Sequence, residues 1–228
     1  MKTRLKVNGV IIFIVMFLLI FFPAIFFRKE IVDPLDEIME IAGITLILLG
    51  QVIRISARGY KSEHSQQSRA LIRGGPYAFV RNPMYLGILL IGSGIVLIFF
   101  KWWVVAAFLL VFIIRYLLLI FKEEQKLSAL FPGEYKEYQQ AVPRILPSLK
   151  ALFYRDISEY LPLKWRWLKK EIGSILVVLL VVLLVESWED ICAEGIRVYF
   201  KEAWLIAGVI IMFIFLAMYL NDRTENAS

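Results

Sequence analysis

Three groups of residues carry side chains suited to chemistry: the Asn82-Pro83 step with Tyr77, Arg81 and Tyr85 around it, the carboxylate pair Glu123-Glu124, and Arg115 inside an apolar run. Asn82-Pro83 reads as a helix start. Asparagine caps, and proline at the first helical position gives up an N–H that had no partner there. The free N–H groups and the positive dipole end at such a start suit a carboxylate or another anionic group. Tyr77, Arg81 and Tyr85 line a pocket of that kind. Taken singly, Arg81 is an ordinary basic anchor and Tyr85 an ordinary interfacial aromatic.

Glu123 and Glu124 stand where an apolar helix runs out, and acidic charge there opposes the helix dipole. Two readings explain them: neutralisation by Lys122 and Lys126, or a meeting with a cation held against the Asn82 helix start. Arg115 lies two turns deeper. An ionisable residue inside a span is a functional candidate, and the alternative is that it snorkels outward. Tyr135 and Tyr138 share one face of a short amphipathic helix that Pro132-Gly133 introduces and Val142-Pro143-Arg144 ends, with Phe131 just before it. This segment is either a lid over the polar motifs or a plain membrane-surface helix. The single histidine, His64, has no second ligand nearby, so no metal site is expected. The single cysteine, Cys192, leaves no intramolecular disulfide.

The elements that position these groups are membrane helices. The chain has 228 residues, 60% of them hydrophobic, and a mean hydropathy of +0.70, which excludes an ordinary soluble domain. Spans are expected at Val7–Phe27, Ile38–Ile53, Pro83–Phe100, Trp102–Phe121, Ile172–Val185 and Ala203–Leu220, the fifth with Trp165 and Trp167 as an interfacial foot. The fold class is therefore all-α, a polytopic bundle of about six transmembrane helices. Basic residues crowd segments 2–6, 54–82 and 122–171, all on one side of that arrangement. The positive-inside rule makes that side, and both termini, cytoplasmic. The net charge of +6 then points to anionic lipids and not to nucleic acid.

The third and fourth spans form a hairpin turning near Lys101, with Asn82 19 residues before it and Glu123 22 after it. At about 1.5 Å per residue both motifs return to the same membrane face. Residues 1–150 read as a four-span core, and residues 151–228 as an amphipathic linker plus a two-span extension whose residues announce no chemistry.

The pair of motifs, GPYAFVRNPMYLG and then KEEQKLSALFPGEYKEYQQAVPR, resembles the integral-membrane methyltransferases, which comprise the isoprenylcysteine carboxyl methyltransferases and the related phospholipid N-methyltransferases. The likeness covers roughly Ile41 to Pro147. It implies an S-adenosylmethionine pocket at the cytoplasmic ends of the third and fourth spans, closed by the segment that follows. By position, Arg69, Ala70, Leu71 and Ile72 would meet the cofactor partly through backbone groups. Tyr77, Asn82, Pro83, Met84 and Tyr85 would surround it, and Glu123 would hold one of its polar groups. A lipidic acceptor would approach from the membrane between helices. The chain departs from the family in having Asn82 and Arg69 where histidine is usual, and Leu119 where the prenylcysteine enzymes carry a basic residue that contacts the acceptor. Arg115, one turn further back, is the candidate substitute.

A carboxylate acceptor needs no general base, so positioning and water exclusion carry that reaction. An amine acceptor needs a proton removed, and Glu123 or Glu124 is the candidate base. Two other classes stay open on the residues: an NADPH-dependent membrane reductase of the sterol-reductase type, and a non-enzymatic membrane component whose glutamates and tyrosines are only anchors.

Overall fold

Proline sets where helices begin. The computed structural model describes residues 18–19, 21–28, 34–65, 71–147 and 160–194. Among these it forms α1 (Pro23–Phe26), α2 (Pro34–His64), α3 (Pro76–Phe79), α4 (Pro83–Phe99), α5 (Trp102–Leu130), α6 (Pro132–Ala141) and α7 (Trp165–Glu194). The first residue of five of these is proline, whose fixed φ and missing N–H suit that position. The described residues contain no strand, only an isolated antiparallel bridge between Phe27 and Phe100.

Two helices, Ile38–His64 within α2 and Trp102–Leu130, are long and apolar enough to cross a membrane; Pro83–Phe99 is a shorter apolar helix. The expected first span is described only from Leu18, and Ala203–Leu220 lies outside the described residues.

Three boundaries differ from the sequence expectation. Helix α2 does not stop at Ile53 but continues to His64, so Arg54, Arg58 and Lys61 ride on a helix and not in a loop. No proline interrupts that stretch, and Lys61 and His64 in the last turn favour the helix C-terminus. Helix α5 likewise passes Phe121 and ends only at Leu130, before Pro132. Glu123 and Glu124 thus sit inside a helix and not at its end. Trp165, Trp167 and the fifth expected span form one continuous helix, α7.

Glycines zip α2 to α4 in antiparallel register. A Cβ on Gly43 would lie 2.9 Å from the Gly94 carbonyl oxygen, and one on Gly94 2.5 Å from that of Gly43. The pair Gly50 and Gly87, two turns along, repeats the relation at 2.7 and 2.8 Å. Only residues without a side chain let two backbones approach this closely, which is how helices gain dispersion energy where lipid supplies no hydrophobic drive. Helix α5 meets the other side of α4 through aromatic rings: Phe108 over Gly92, then Phe112, Tyr116 and Tyr85, with Phe112 and Tyr116 stacked at 3.9 Å.

The turn between α4 and α5 is tied to the segment after α1. The Arg28 amide donates to the Phe99 oxygen at 3.0 Å, the Lys101 amide to the Phe26 oxygen at 3.0 Å, and the Phe27 and Phe100 rings stack at 4.8 Å. At the opposite end Ile53, Phe79, Val80, Leu86 and Tyr160 form a second buried cluster, and this one lies beneath the candidate site.

Candidate functional site

The loop between α2 and α4 is shaped by a glycine pair. Gly75 has φ 55° and is the one described residue with positive φ, a conformation that side chains disfavour. Its bare face and that of Gly74 rest on the Tyr60 ring. The single turn α3 follows, closed by the Tyr77 amide on the Gly74 oxygen (3.2 Å) and the Ala78 amide on the Gly75 oxygen (2.9 Å). It sends Phe79 and Val80 into the core and leaves Tyr77 and Arg81 on the wall of a cavity.

That cavity measures about 280 Å³, near the lower end of small-molecule sites at roughly 300–1,000 Å³. The start of α4 supplies Asn82, Pro83, Met84, Tyr85 and Ile88; α5 supplies Glu123, Glu124 and Leu127; Phe131, Tyr135 and Tyr138 close it. Leu71, Ile72, Tyr77 and Arg81 come from the loop, and Lys61 from the extended end of α2. The Asn82 motif and the glutamate pair therefore share one cavity, at the ends of α4 and α5 remote from their turn.

Buried charge organises the wall. Glu124 is 6% exposed and meets two guanidinium groups: Arg81 Nη1 stands 3.0 Å from Oε1, while Arg144 donates from Nε to Oε1 at 3.2 Å and from Nη2 to Oε2 at 2.8 Å. The two-point contact with Arg144 is the strong planar geometry that arginine favours. Arg144 also lies over the Phe121 ring, 4.5 Å from its centroid. The cation beside the Asn82 helix start is thus Arg81, and its carboxylate is Glu124; Lys122 and Lys126 make no ion pair with it among the described residues.

The chain after α6 is laced onto the start of α4. The Arg81 amide donates to the Pro143 oxygen at 2.8 Å and the Asn82 amide to the Arg144 oxygen at 3.1 Å. Asn82 occupies the N-cap position, but its side chain does not cap: Nδ2 donates to the Arg144 oxygen at 3.0 Å. The pull of that carbonyl replaces the expected cap, since an amide donor cannot satisfy the helix's own free N–H groups. Tyr138 Oη donates to the Tyr77 oxygen at 2.6 Å, which seats α6 over the loop. Arg73 reaches Glu134 at 3.0 Å on the exposed rim, a contact of small energetic weight.

Burial pushes the Tyr77 hydroxyl above the ordinary phenol range, helped by the charge of Glu123 and by Tyr85. Burial does the same to Tyr138, with Tyr135 and Tyr77 adding to it, and to Tyr135, with Glu124 adding. All three therefore remain neutral hydrogen-bond donors at physiological pH. Glu123, exposed, lies beside Tyr77 and Tyr85.

Of the residues expected to form the site, Leu71, Ile72, Tyr77, Arg81, Asn82, Pro83, Met84, Tyr85, Glu123 and Glu124 line the cavity. Arg69 and Ala70 lie outside the described residues. Arg115 is not on the wall: it is exposed on α5, because the turn that brings Tyr116 against Tyr85 points its neighbour outward. Sequence reasoning missed Lys61, Ile88, Leu127 and the role of Arg144. Lys61 becomes visible only once α2 is continued past Ile53, and Arg144 reads merely as the end of a helix until Glu124 is seen to need a second cation.

Residues 38–134 match the family model described as phospholipid methyltransferase. Over that segment the chain is similar to the phospholipid methyltransferase family. Comparison with curated proteins and with solved structures gives no match. The matched segment takes in α2 from Ile38 onward, α3, α4 and α5 and reaches the first turn of α6, so it holds the Asn82 motif and both glutamates. Tyr135, Tyr138, Arg144 and the whole of α7 fall beyond it. The matched segment also holds the two helices long and apolar enough to cross a membrane.

Proposed function

We propose that the protein is a multi-pass, S-adenosylmethionine-dependent methyltransferase acting on a lipidic acceptor, with about six spans and both termini and the cavity on the cytoplasmic side. The observation that carries this reading is the single cavity shared by the Asn82 helix start and Glu123, roofed by α6. Its lining fits the cofactor's chemistry. Glu123 offers a carboxylate, Lys61 and Arg81 offer cations, Tyr77 and Tyr85 offer phenol rings, and Met84, Ile88, Leu127 and Phe131 offer apolar surface. A zwitterionic nucleoside needs that mixture.

When bound, S-adenosylmethionine supplies an electrophilic methyl group on a sulfonium centre. The chain's own residues hold and orient. Glu123 and the rings of Tyr77 and Tyr85 would fix the polar and aromatic parts of the ligand; the Leu71–Ile72 backbone would flank it, and Arg69 and Ala70 precede that edge. Glu124 serves by positioning, since both its oxygens are engaged by Arg81 and Arg144. Helix α6, fastened through Tyr138, excludes water and so strengthens every charge contact beneath it. The family's description favours a phospholipid as acceptor. Were the methylated group an amine, Glu123, whose carboxylate is not tied up as that of Glu124 is, would be the candidate to accept the proton that the amine must lose.

Titration calorimetry of purified protein in detergent with S-adenosylmethionine and S-adenosylhomocysteine tests this. One-site binding of both is expected. Folded protein that binds neither, or that binds NADPH instead, overturns the reading.

A further inference from the structure

Residues 160–171 lie beyond the family-matched segment, yet they grip α2 along more than two turns. The buried Ser56 hydroxyl donates to the Pro162 oxygen at 2.8 Å. One turn on, the Trp167 ring, 2% exposed, presses on Gly59 so closely that a side chain there would overlap it. Trp167 Nε1 donates to Glu63 Oε1 at 2.7 Å, and Lys164 Nζ meets the other oxygen of Glu63 at 2.5 Å. Arg58 Nη1 stands 2.9 Å from Oε1 of the buried Glu171.

The same stretch of α2 serves the cavity on its other side. Tyr60, next to Gly59, is the surface on which Gly74 and Gly75 rest, and Lys61 lines the cavity. Tyr160 reaches the site from below: its ring lies 5.6 Å from that of Phe79, in the cluster that also holds Val80. Phe79 and Val80 are the inward residues between Tyr77 and Arg81, both of which face the ligand space. One segment thus supports the loop through two independent contacts, by way of Tyr60 and by way of Phe79.

We infer that the Tyr160–Glu171 segment is a positioning element of the ligand site, with Trp167 and Glu63 as positioning residues that set the loop from Gly74 to Arg81. Residues 160–171 of the C-terminal extension are then part of the working enzyme. The affinity arm of the test rests on the methyltransferase reading; the amide-exchange arm does not.

Full-length protein in detergent, wild type and Trp167→Ala, is compared by amide hydrogen exchange and by S-adenosylhomocysteine titration. Exchange over residues 77–81 is expected to rise about tenfold or more while the middle of α4 is unchanged, because only the local opening is made easier. The dissociation constant rises on the order of tenfold or more, as small misplacements do at a preorganised site. Trp167→Phe, which keeps the ring and loses the Glu63 bond, falls between the two. Wild-type exchange over 77–81 in Trp167→Ala overturns the inference, as does faster exchange with unchanged affinity. Should Trp167→Ala fail to fold, Arg58→Glu and Glu171→Arg carry the test. Each alone speeds exchange and the pair restores it, and equal exchange in all of them overturns the inference. Wild-type protein that binds no S-adenosylhomocysteine overturns the methyltransferase reading, and the exchange comparison still decides the brace.

Discussion

Arg144 holds both carboxylate oxygens of Glu124 across 20 residues of chain, at 3.2 and 2.8 Å, while Arg81 stands 3.0 Å from the first of them. Removing Glu124 leaves Arg81, itself 10% exposed, without its carboxylate. Glu124→Ala is expected to cost about 3–5 kcal/mol, the usual effect of breaking a buried pair from one side. Arg144→Ala costs less, about 1–2 kcal/mol, because Arg144 is a third exposed and solvent screens it. Denaturant or thermal unfolding in detergent reads both.

Glu123 is exposed and carries no such burden. Glu123→Gln should leave the unfolding midpoint near that of wild type while weakening S-adenosylhomocysteine binding about tenfold, or roughly 1.4 kcal/mol. Parallel calorimetry and thermal melts separate this outcome from that of Glu124→Ala.

The tyrosines predict an alkaline limit. Tyr77 and Tyr138 keep their protons in the folded protein beyond the ordinary phenol range, chiefly through burial. The unfolded chain releases them near pH 10, so above that pH it binds fewer protons than the folded state, and stability falls as pH rises. The stabilisation is fully present below about pH 10. Unfolding measured from pH 8 to 11 should show the decline, and Tyr138→Phe should flatten it. That variant also loses the 2.6 Å bond to the Tyr77 oxygen, about 0.5–1.5 kcal/mol at every pH.

The glycine zipper gives a paired test. Gly50→Ala would set its methyl 2.7 Å from the Gly87 carbonyl oxygen, a backbone atom that cannot move aside. A loss of about 1–3 kcal/mol is expected from this overpacking. Gly173→Ala, with nothing within 4 Å and a helical setting, should stabilise by up to about 1 kcal/mol. Thermal melts of the two variants should move in opposite directions.

Much of the frame is legible in the residues because proline punctuates it: Pro83 and Pro132 mark helix starts that periodicity alone would blur. The hairpin count that returned Asn82 and Glu123 to one face needed only the helical rise. What was not legible depends on contacts across long stretches of chain. The polar run after Ile53 looks like a loop until Trp167, more than a hundred residues on, is seen to cover Gly59. Asn82 reads as a cap because the Arg144 carbonyl that captures its amide belongs to a segment whose residues announce only a helix stop. Arg115 reads as functional because an apolar run hides which of its faces turns outward.

Helix α4 is moored at both ends and along one flank. Its far turn is clasped by Arg28 and Lys101, its near start by the carbonyls of Pro143 and Arg144, and its side by Gly43 and Gly50. Helix α5 has broad apolar stretches facing outward at Leu110, Val111, Ile114 and Leu118. A bulky guest entering beside this pair therefore meets a helix fixed at both ends on one side and a bare apolar wall on the other.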